Sequence, residues 1–368
     1  MQILYVITST ECGGAEKALH ALALAAREAG HTVSIVSIRP LGTVARALQA
    51  DGFNVQSLNL KNKFNLVQTA QALAQLIDFI QETKPDVVHG FLYRGIEFCR
   101  RAKKRIPFRL VTTPHYDISK KNFFMRLVDR GLKDADDISC AESEQTAQFL
   151  IQKQHYAKEK VRLVCNGVDR NYFRPPTDAE RQAARKQLGF TEKNTVFCCV
   201  ARLSAEKNHL VLLQSFAALY AKNPAARLVL VGGGPEKSVL EAFLAKNGLK
   251  RAVLMAGEVK DVRSYLWAAD VFVLPSAVES LPLALLEAGS CGLPAVVSRA
   301  GDMPRVVSHG QTGFVCNGGD ALVQTVLMAE LLSNGKLREQ MGKNARTRTE
   351  TFFPPAEPIY LEIYENLK

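Results

Sequence analysis

Short apolar strands alternate with helical stretches along almost the whole chain, and this alternation is what most restricts its fold. The pattern predicts strands over residues 3–7, 33–38, 54–58, 86–89, 109–112, 138–141 and 162–165. After an interruption it predicts six more, over 195–201, 227–231, 252–255, 271–274, 295–298 and 313–316. Helical spacing marks residues 15–30 and 66–83. Strands that alternate with helices favour βαβ units, so the sequence predicts an α/β fold with parallel sheets.

The segment 166–176 interrupts this rhythm with two prolines, a glycine and polar residues. A chain of 368 residues is long for a single hydrophobic core. We therefore predict one Rossmann-like domain over 1–170 and a second over 171–350. The tail, 351–368, is predicted to form a helix that crosses back and packs on the first domain.

Composition indicates a globular protein, with 47% hydrophobic and 23% charged residues. No apolar run approaches the roughly 18 residues that a membrane span needs. The first strand begins at once, without a charged leader region, so we expect a cytosolic protein. The eight cysteines include no C-x-x-C pair, which favours buried reduced thiols over a zinc site or disulfides.

Positive charge is concentrated between Arg94 and Lys133, where twelve Lys and Arg residues face three acids, an excess of nine. Phe123 and Phe124 interrupt the cations, as in helices that bind an anionic membrane surface. A solvated basic face is the alternative. Nucleic acid is not expected, because no nucleic-acid-binding motif accompanies the charge. The predicted membrane or acceptor-side patch comprises Arg100, Arg101, Lys103, Lys104, Arg105, Lys120, Lys121 and Arg126.

Glu279 and Glu287 lie in a run that joins two apolar strands, 271–274 and 295–297. Pro282 suits the first position of a helix. The amides of Leu283, Ala284 and Leu285 would then lack intrahelical partners, and Leu281 has no side chain that could cap them. A helix start of this kind after a parallel strand is an anion site. The chain thus presents a carboxylate, free backbone amides and a second carboxylate in succession. This order suits a ligand that has hydroxyls at both ends and phosphates between them, such as a nucleotide sugar.

Four weaker signals also stand at predicted strand ends, where open α/β sheets bind ligands. Two are glycine-rich turns that could approach an anion, although neither matches a dinucleotide or ATP-binding motif. The pair Arg202 and Lys207 could neutralise a diphosphate, or form a loop ion pair with Glu206. A lone histidine is usually structural, but His115 ends a strand next to Pro114, which leaves a functional role equally open. The glycine turns are Gly13-Gly14 and Gly232-Gly-Gly234.

Taken together, these pieces resemble the family 4 retaining glycosyltransferases, which have the GT-B fold. The matching motifs are Gly13-Gly-Ala-Glu16, His115, Asn166-Gly-Val-Asp169, Arg202-x4-Lys207-Asn208, Gly232-Gly-Gly-Pro-Glu236, Glu279-x7-Glu287 and Gly292-x-Pro294. They follow the family's order and span most of the chain. The resemblance implies two Rossmann-like domains facing a cleft, with the C-terminal helix packed on the N-terminal domain.

The resemblance also implies roles. Arg202 and Lys207 would hold the donor diphosphate, Glu279 the transferred sugar and Glu287 the ribose, while His115 would hydrogen-bond the sugar. The backbone of Gly13, Gly14, Gly233, Leu281, Leu283 and Ala284 would line the donor site. No metal or other cofactor is expected, because the cations and the helix dipole would replace it. A UDP-sugar donor and a lipid-linked or lipopolysaccharide-type acceptor at the cytoplasmic membrane face are the expected partners.

Two positions depart from the family pattern. Many relatives have Gly where this chain has Ser280. Many also carry Gly-Gly-x-Pro-Glu further on, where this chain has Gly301-Asp-Met-Pro-Arg305. Arg305 reverses a charge there, which leaves the choice of donor sugar open.

Three other functions compete with transfer. In a glycosidase the two carboxylates would face each other roughly 5–9.5 Å apart. A loop-and-helix separation of eight positions suggests about 12 Å instead, at roughly 1.5 Å per residue. The second competing function is that of a nucleotide-sugar 2-epimerase on the same fold, and the third is non-catalytic binding of a nucleotide sugar.

Overall fold

The first strand, Gln2–Ile7 (β1), shows why the first half folds with helices on both faces of a sheet. Its side chains alternate between two hydrophobic clusters: Ile3, Tyr5 and Ile7 pack in one, and Leu4 and Val6 in the other. Successive residues of a strand point to opposite faces of the sheet. A strand that is apolar on both faces is typical of a parallel sheet covered on each side.

The computed structural model describes residues 1–11, 13–61, 65–115 and 122–367. The chain divides into two compact units: unit 1 is Met1–Asn166 with Ala356–Lys368, and unit 2 is Gly167–Pro355. Each contains one sheet in which every described pair of strands is parallel.

Unit 1 has a seven-stranded sheet in the order β3-β2-β1-β4-β5-β6-β7. After β1, its strands are Thr32–Ser37 (β2), Asn54–Ser57 (β3), Val87–Phe91 (β4), Arg109–Thr113 (β5), Ile138–Ala141 (β6) and Val161–Leu163 (β7). Its helices before the second unit are Gly14–Glu28 (α1), Thr43–Ala50 (α2), Leu66–Thr83 (α3), Leu92–Lys103 (α4), Phe123–Leu132 (α5) and Glu144–Gln152 (α6).

Unit 2 has a six-stranded sheet in the order β10-β9-β8-β11-β12-β13. Its strands are Thr195–Val200 (β8), Ala226–Val231 (β9), Val253–Gly257 (β10), Val271–Leu274 (β11), Ala295–Ser298 (β12) and Gly313–Cys316 (β13). Its helices are Asp178–Gln187 (α7), His209–Lys222 (α8), Lys237–Lys246 (α9), Arg263–Ala268 (α10), Leu283–Ser290 (α11), Met303–Val306 (α12), Ala321–Ser333 (α13) and Gly335–Phe352 (α14).

The α/β fold class is confirmed, and each predicted strand is present with ends that shift by at most two residues. The predicted helix over 66–83 is also observed with those bounds. None of the seven described cysteines forms a disulfide; six are buried and Cys165 is half-buried. No described helix combines the length and the apolar character that crossing a bilayer would require.

The last helix, Glu357–Glu365 (α15), belongs to unit 1, as predicted. Tyr360 and Tyr364 bury their rings in the same cluster as Ile3 and Tyr5. The Tyr364 hydroxyl lies 2.5 Å from Nδ1 of His89, a buried residue of β4, and Thr113 Oγ1 lies 2.8 Å from Nε2 of the same ring. Burial holds the pKa of His89 well below its usual value, so the ring is neutral. This polar contact fixes α15 on the sheet.

Arg100 is not part of a basic surface, contrary to the prediction. Its guanidinium donates two hydrogen bonds to Asp136, at 2.8 and 2.6 Å, and one to Asp129, at 2.7 Å. It also donates to the hydroxyl of Tyr156 at 2.7 Å, and its side chain is only 3% exposed. Asp136, one of the two acids that neutralise Arg100, lies just beyond the basic stretch 94–133.

Other members of the predicted patch are also paired. Lys103 contacts Asp137, and Arg101 shares Glu97 with Arg94. Lys104 and Arg105 are exposed and Arg126 is half-buried. Lys120 and Lys121 lie outside the described residues. The local surplus of positive charge is therefore smaller on the surface than in the sequence.

The two helices that carry the patch run in the same direction. Near the start of α4, the Tyr93 hydroxyl contacts the carbonyl of Met125, while further along α4 Arg100 contacts Asp129. Phe123 and Phe124 thus lie beside the start of α4, and Lys104 and Arg105 lie past its other end. The exposed phenylalanines and these two cations do not form one patch.

We expect Arg100→Ala to lower the free energy of unfolding by about 3–5 kcal/mol, because it leaves the buried carboxylates of Asp129 and Asp136 without their cation. Urea unfolding of the purified protein would measure this. The matched control is the exposed Lys104→Ala, which should change stability by no more than about 0.5 kcal/mol. Equal unfolding midpoints for the two variants would contradict the structural role of Arg100.

Candidate functional site

The strand order of the second sheet shows where a ligand can bind. β8 and β11 are neighbours, and the chain proceeds outward from β8 to β9 in one direction and from β11 to β12 in the other. Open α/β sheets bind ligands beyond the carboxyl ends of the strands at such a switch point. The segments that follow these two strands are 201–207 and 275–287. The fold thus brings the two most informative sequence motifs to one edge of unit 2.

Lys207 and Glu279 form a direct ion pair across this edge. Nζ of Lys207 lies 2.6 Å from Oε1 of Glu279, and the side chains are 21% and 8% exposed. Ser276 donates its hydroxyl to the same carboxylate oxygen at 2.8 Å. The Ala277 amide also donates to the carbonyl of Glu206 at 2.7 Å, which ties the two loops together. A cation and an acid 72 positions apart therefore occupy one enclosed site.

The alternative ion pair with Glu206 is wrong for Lys207, since the partner of Lys207 is Glu279. The Glu206 carboxylate instead accepts a hydrogen bond from Ser204 at 2.6 Å. Arg202 is exposed, and it forms no ion pair within the part of the chain that the structure describes. Its charge is available to an anion that reaches the end of β8.

The glycine turn after β9 packs directly against the segment that carries Arg202. Gly232 and Gly234 have φ of 144° and 154°, and a Cβ on them would lie 2.0 Å from the carbonyl oxygen of Ala201 and 2.3 Å from that of Leu203. Only glycine allows this approach. The carbonyl of Gly233 accepts the Leu203 amide at 2.8 Å. The turn thus supports the loop that presents the cation.

Helix α11 begins one residue later than predicted. Pro282 is the N-cap with ψ of 122°, and its carbonyl accepts the Leu285 amide at 3.1 Å. The prediction that the Leu285 amide lacks a partner is therefore wrong. The amides of Leu283 and Ala284 have no partner among the described residues, and no side chain caps the helix. These two half-buried donors follow Glu279 by a few positions, at a helix start of the kind that can bind an anion.

Glu287 lies on the second turn of α11 and is 7% exposed. Its surroundings include residues that the sequence did not flag. The guanidinium of Arg263 lies 3.8 Å from the ring centroid of Tyr172 and donates three hydrogen bonds to the carboxylate of Asp261. Burial, followed by the charge of Asp261, raises the pKa of Tyr172, and Glu287 adds to this. The group formed by Tyr172, Arg263 and Asp261, which lie far from Glu287 in sequence, is thus within electrostatic range of Glu287.

In unit 1, the start of α1 already has a carboxylate beside it. Gly13 is the N-cap, and Oε2 of Glu16 lies 2.4 Å from the position that a Cβ on Gly13 would occupy. Ser9 donates its hydroxyl to Oε1 of Glu16 at 3.1 Å. The predicted contact of Gly13 and Gly14 with a ligand phosphate stays a prediction. An anion that approached these amides would meet the charge of Glu16.

His115 also belongs to unit 1, at the carboxyl end of β5. It adopts a left-handed backbone with φ of 52°, and its ring stacks on Phe91 with centroids 5.8 Å apart. Its Nε2 is enclosed and has no hydrogen-bond partner among the described residues. Burial lowers the pKa of His115 to about 4, so the ring is neutral at ordinary pH. A neutral imidazole can exchange a hydrogen bond with a hydroxyl group.

Comparison with known proteins agrees with this geometry. The family model described as "Glycosyltransferase Family 4" matches residues 12–172, and that described as "Glycosyl transferases group 1" matches residues 180–348. The solved structure of HepE from Anabaena, in complex with UDP and glucose, superposes with a TM-score of 0.88. That alignment covers 100% of this chain and 99% of HepE at 22% identity. This likeness, together with the two parallel sheets, confirms the GT-B fold.

Two sequence relatives differ in how much of them this chain covers. Sulfoquinovosyl transferase SQD2 of Arabidopsis thaliana is 31% identical over 292 residues, which are 76% of this chain and 56% of SQD2. N-acetyl-alpha-D-glucosaminyl L-malate synthase of Bacillus anthracis is 26% identical over 334 residues, 86% of this chain and 85% of that enzyme. The chain thus spans little more than half the length of the first relative.

We expect His115 to make the protein sensitive to acid. Because its pKa falls from 6.5 in the unfolded chain to about 4 in the folded one, the unfolded chain binds a proton first as pH falls through this window. Stability is therefore lost between these two values. His115→Asn should reduce that loss, since asparagine tolerates the left-handed backbone and does not titrate.

Urea unfolding midpoints of wild type and His115→Asn at about pH 7 and about pH 5 would test this expectation. The other buried histidines, His89 and His209, also have lowered pKa values, and they are present in both proteins. An equal pH dependence in wild type and variant would contradict it.

Proposed function

The chain belongs to glycosyltransferase family 4, and on that premise we propose that it transfers a sugar from a nucleotide-sugar donor to a glycan acceptor, with retention of configuration. The observation that carries this proposal is the Lys207–Glu279 pair beside the open amides of α11. One edge of a parallel sheet there offers a cation in direct contact with a carboxylate, and helix amides that follow this carboxylate by a few residues. A sugar diphosphate needs all three.

In the proposed reaction, negative charge develops on the leaving diphosphate as the sugar is transferred. The bond between the anomeric carbon and the diphosphate oxygen breaks, and a bond from the acceptor oxygen forms on the same face of the sugar. The proton of the acceptor hydroxyl passes to the leaving phosphate. Arg202, Lys207 and the amides of Leu283 and Ala284 would stabilise the growing negative charge, as preorganised donors do at such sites. We propose no metal or cofactor, since these groups supply the positive charge.

The two carboxylates hold the donor in this proposal and do not act as acid and base. Glu279 accepts hydrogen bonds from a lysine and a serine, which suits a group that receives sugar hydroxyls. Glu287 stands further along α11, where it would receive the ribose hydroxyls. A glycosidase needs two carboxylates facing one bond with room for water. The Lys207 partner of Glu279 favours transfer over glycoside hydrolysis.

A UDP-sugar is the proposed donor, with glucose, galactose or N-acetylglucosamine as the sugar. The complex of HepE with UDP and glucose supports this choice, because that protein shares the fold over the whole chain. His115, which is neutral and whose Nε2 has no partner among the described residues, would hydrogen-bond the sugar. The proposed acceptor is a lipid-linked or lipopolysaccharide-type glycan.

We further propose that the protein works at the cytoplasmic face of an anionic membrane and binds it through α5. The outward side of this helix is apolar, with Phe123 66%, Phe124 75% and Leu127 54% exposed. Arg130 is exposed on the same side, three residues after Leu127. An exposed apolar stripe with a cation beside it is typical of a helix that lies in the membrane interface. A lipid-linked acceptor would be presented at such a surface.

We expect Lys207→Ala to reduce transfer by on the order of 100- to 1,000-fold, since it removes a donor to the leaving diphosphate. The experiment begins with wild-type protein and a panel of UDP-glucose, UDP-galactose, UDP-N-acetylglucosamine and GDP-mannose. Release of nucleotide diphosphate identifies the donor, on which the variant is then measured. Lys193→Ala is the matched control, because Lys193 is exposed and precedes β8 at the opposite edge of the same sheet.

Three results would count against the proposal. Turnover by Lys207→Ala close to that of wild type would remove the diphosphate role. Return of an epimerised nucleotide sugar without acceptor would identify an isomerase. Binding of the nucleotide sugar without consumption, in the presence of glycan acceptors, would identify a binder.

Membrane binding should depend on lipid charge and on the phenylalanines. We expect wild type to sediment with vesicles that contain anionic phospholipid and not with neutral vesicles. The double variant Phe123→Ser/Phe124→Ser should lose most of this binding. Lys104→Ala/Arg105→Ala should retain most of it, because these cations lie past the other end of α4. Equal binding of wild type to both vesicle types, or to neither, would contradict the proposal.

A further inference from the structure

The turn that follows β12 packs against the backbone of Glu279. Gly301 in this turn has φ of 51°, and a Cβ on it would lie 2.4 Å from the carbonyl oxygen of Glu279 and 2.5 Å from that of Ser280. Real Cβ atoms do not approach backbone oxygens so closely, so any side chain here would displace the Glu279 loop. Glycine is required for both the left-handed conformation and the contact.

The next residue bonds to the same loop. The Asp302 amide donates to the carbonyl of Ser280 at 2.8 Å. The Asp302 carboxylate, 6% exposed, accepts a hydrogen bond from Arg305 at 2.9 Å. Arg348 on α14 in turn donates to the carbonyl of Arg305 at 2.9 and 2.6 Å. The turn is therefore anchored to α14 on one side and to Ser280 on the other.

The last residue of β12 also contacts the start of the loop that carries Glu279. The hydroxyl of Ser298, the last residue of β12, donates to the carbonyl of Ser276. Ser276 is the residue whose hydroxyl contacts the Glu279 carboxylate. The backbone of residues 276–280 is thus fixed at both ends by residues 298–302, while Lys207 and Ser276 fix the Glu279 side chain.

On the basis of the function proposed above, we infer that Gly301 and Asp302 are positioning residues for the donor sugar. They touch neither the nucleotide nor the diphosphate groups in this account. Their contacts determine where the Glu279 carboxylate meets the sugar hydroxyls. The sugar-dependent part of donor binding, and the rate of transfer, should therefore depend on them, while the affinity for the nucleotide alone should not.

The charges of the turn also explain its departure from the family pattern. The acid at 302 and the base at 305 stand where many relatives have glycine and an acid, and here they pair with each other. A buried carboxylate is costly unless a cation accompanies it, and Arg305 provides a cation to the 6% exposed Asp302. The reversed charge at Arg305 therefore anchors the turn through Asp302.

A pair of glycine substitutions separates positioning from general strain. Gly301→Ala places a side chain against Glu279 and Ser280 in a left-handed backbone. Gly310→Ala introduces the same backbone strain at φ of 77°, with nothing within 4 Å of the added Cβ. Gly310 precedes β13, at the edge of the sheet opposite Glu279. Both variants thus place a side chain on a left-handed backbone, but only Gly301→Ala makes that side chain clash with Glu279 and Ser280.

The measurements are steady-state transfer with the nucleotide sugar that wild type consumes, and calorimetric binding of that donor and of its free nucleotide diphosphate. We expect Gly301→Ala to lower kcat/KM on the order of 10- to 100-fold, as small displacements of positioning groups do. Its affinity for the free nucleotide diphosphate should stay within about twofold of wild type. Gly310→Ala should match wild type both in kcat/KM and in its affinity for the free nucleotide diphosphate.

Asp302→Asn provides a milder test that keeps the amide contact and the shape of the residue. It should raise KM for the nucleotide sugar several-fold, about threefold or more, with nucleotide binding unchanged. If both variants behave like Gly310→Ala, or if nucleotide affinity falls in parallel with kcat/KM, the positioning role is overturned. Wild-type protein that neither binds nor consumes any nucleotide sugar would instead overturn the proposed function, and this inference with it.

Discussion

Parallel pairing of the strands is the constraint from which the rest of the structure follows. Because every described strand runs parallel to its neighbours, all the carboxyl ends of a sheet lie at one edge. Segments far apart in the sequence, such as 201–207, 232–236, 275–287 and 299–305, therefore lie side by side in unit 2. Each sequence motif supplies only one or two polar groups to the candidate site. The parallel arrangement, which collects these groups at one edge of the sheet, therefore matters more to the site than any single motif.

Ion pairs across sequence-distant segments account for much of the remaining organisation. Arg100 binds acids from two other elements and Lys207 binds one from the loop after β11. Asp302 and Arg305, by contrast, form a local pair three positions apart. Whether a charged side chain in this protein is structural or available to a ligand can therefore be decided only once its partner is known. The cluster of cations around Arg100 suggested a binding surface, yet its central member is a buried structural group.

Hydrophobic periodicity was sufficient to predict the strands, both sheets and the docking of α15, because burial on two faces leaves a pattern in local sequence. The sequence also showed, for the same reason, that Arg202, Lys207, Glu279 and Glu287 lie on the segments that follow two strands. Contacts between side chains were not predictable. Nothing in the sequence near Ser276 shows that its hydroxyl contacts Glu279, and a one-residue shift at Pro282 changed which helix amides are open.

The docking of α15 has a consequence for how the protein matures. Unit 1 buries Tyr360 and Tyr364 beside β1, but these residues are synthesised only after all of unit 2. Domains generally fold as they leave the ribosome, N-terminal first. Here the first unit to emerge lacks part of its core until translation has passed the second. While the second unit is being synthesised, the nascent N-terminal sheet therefore lacks α15, and the face of β1 that this helix later covers stays exposed.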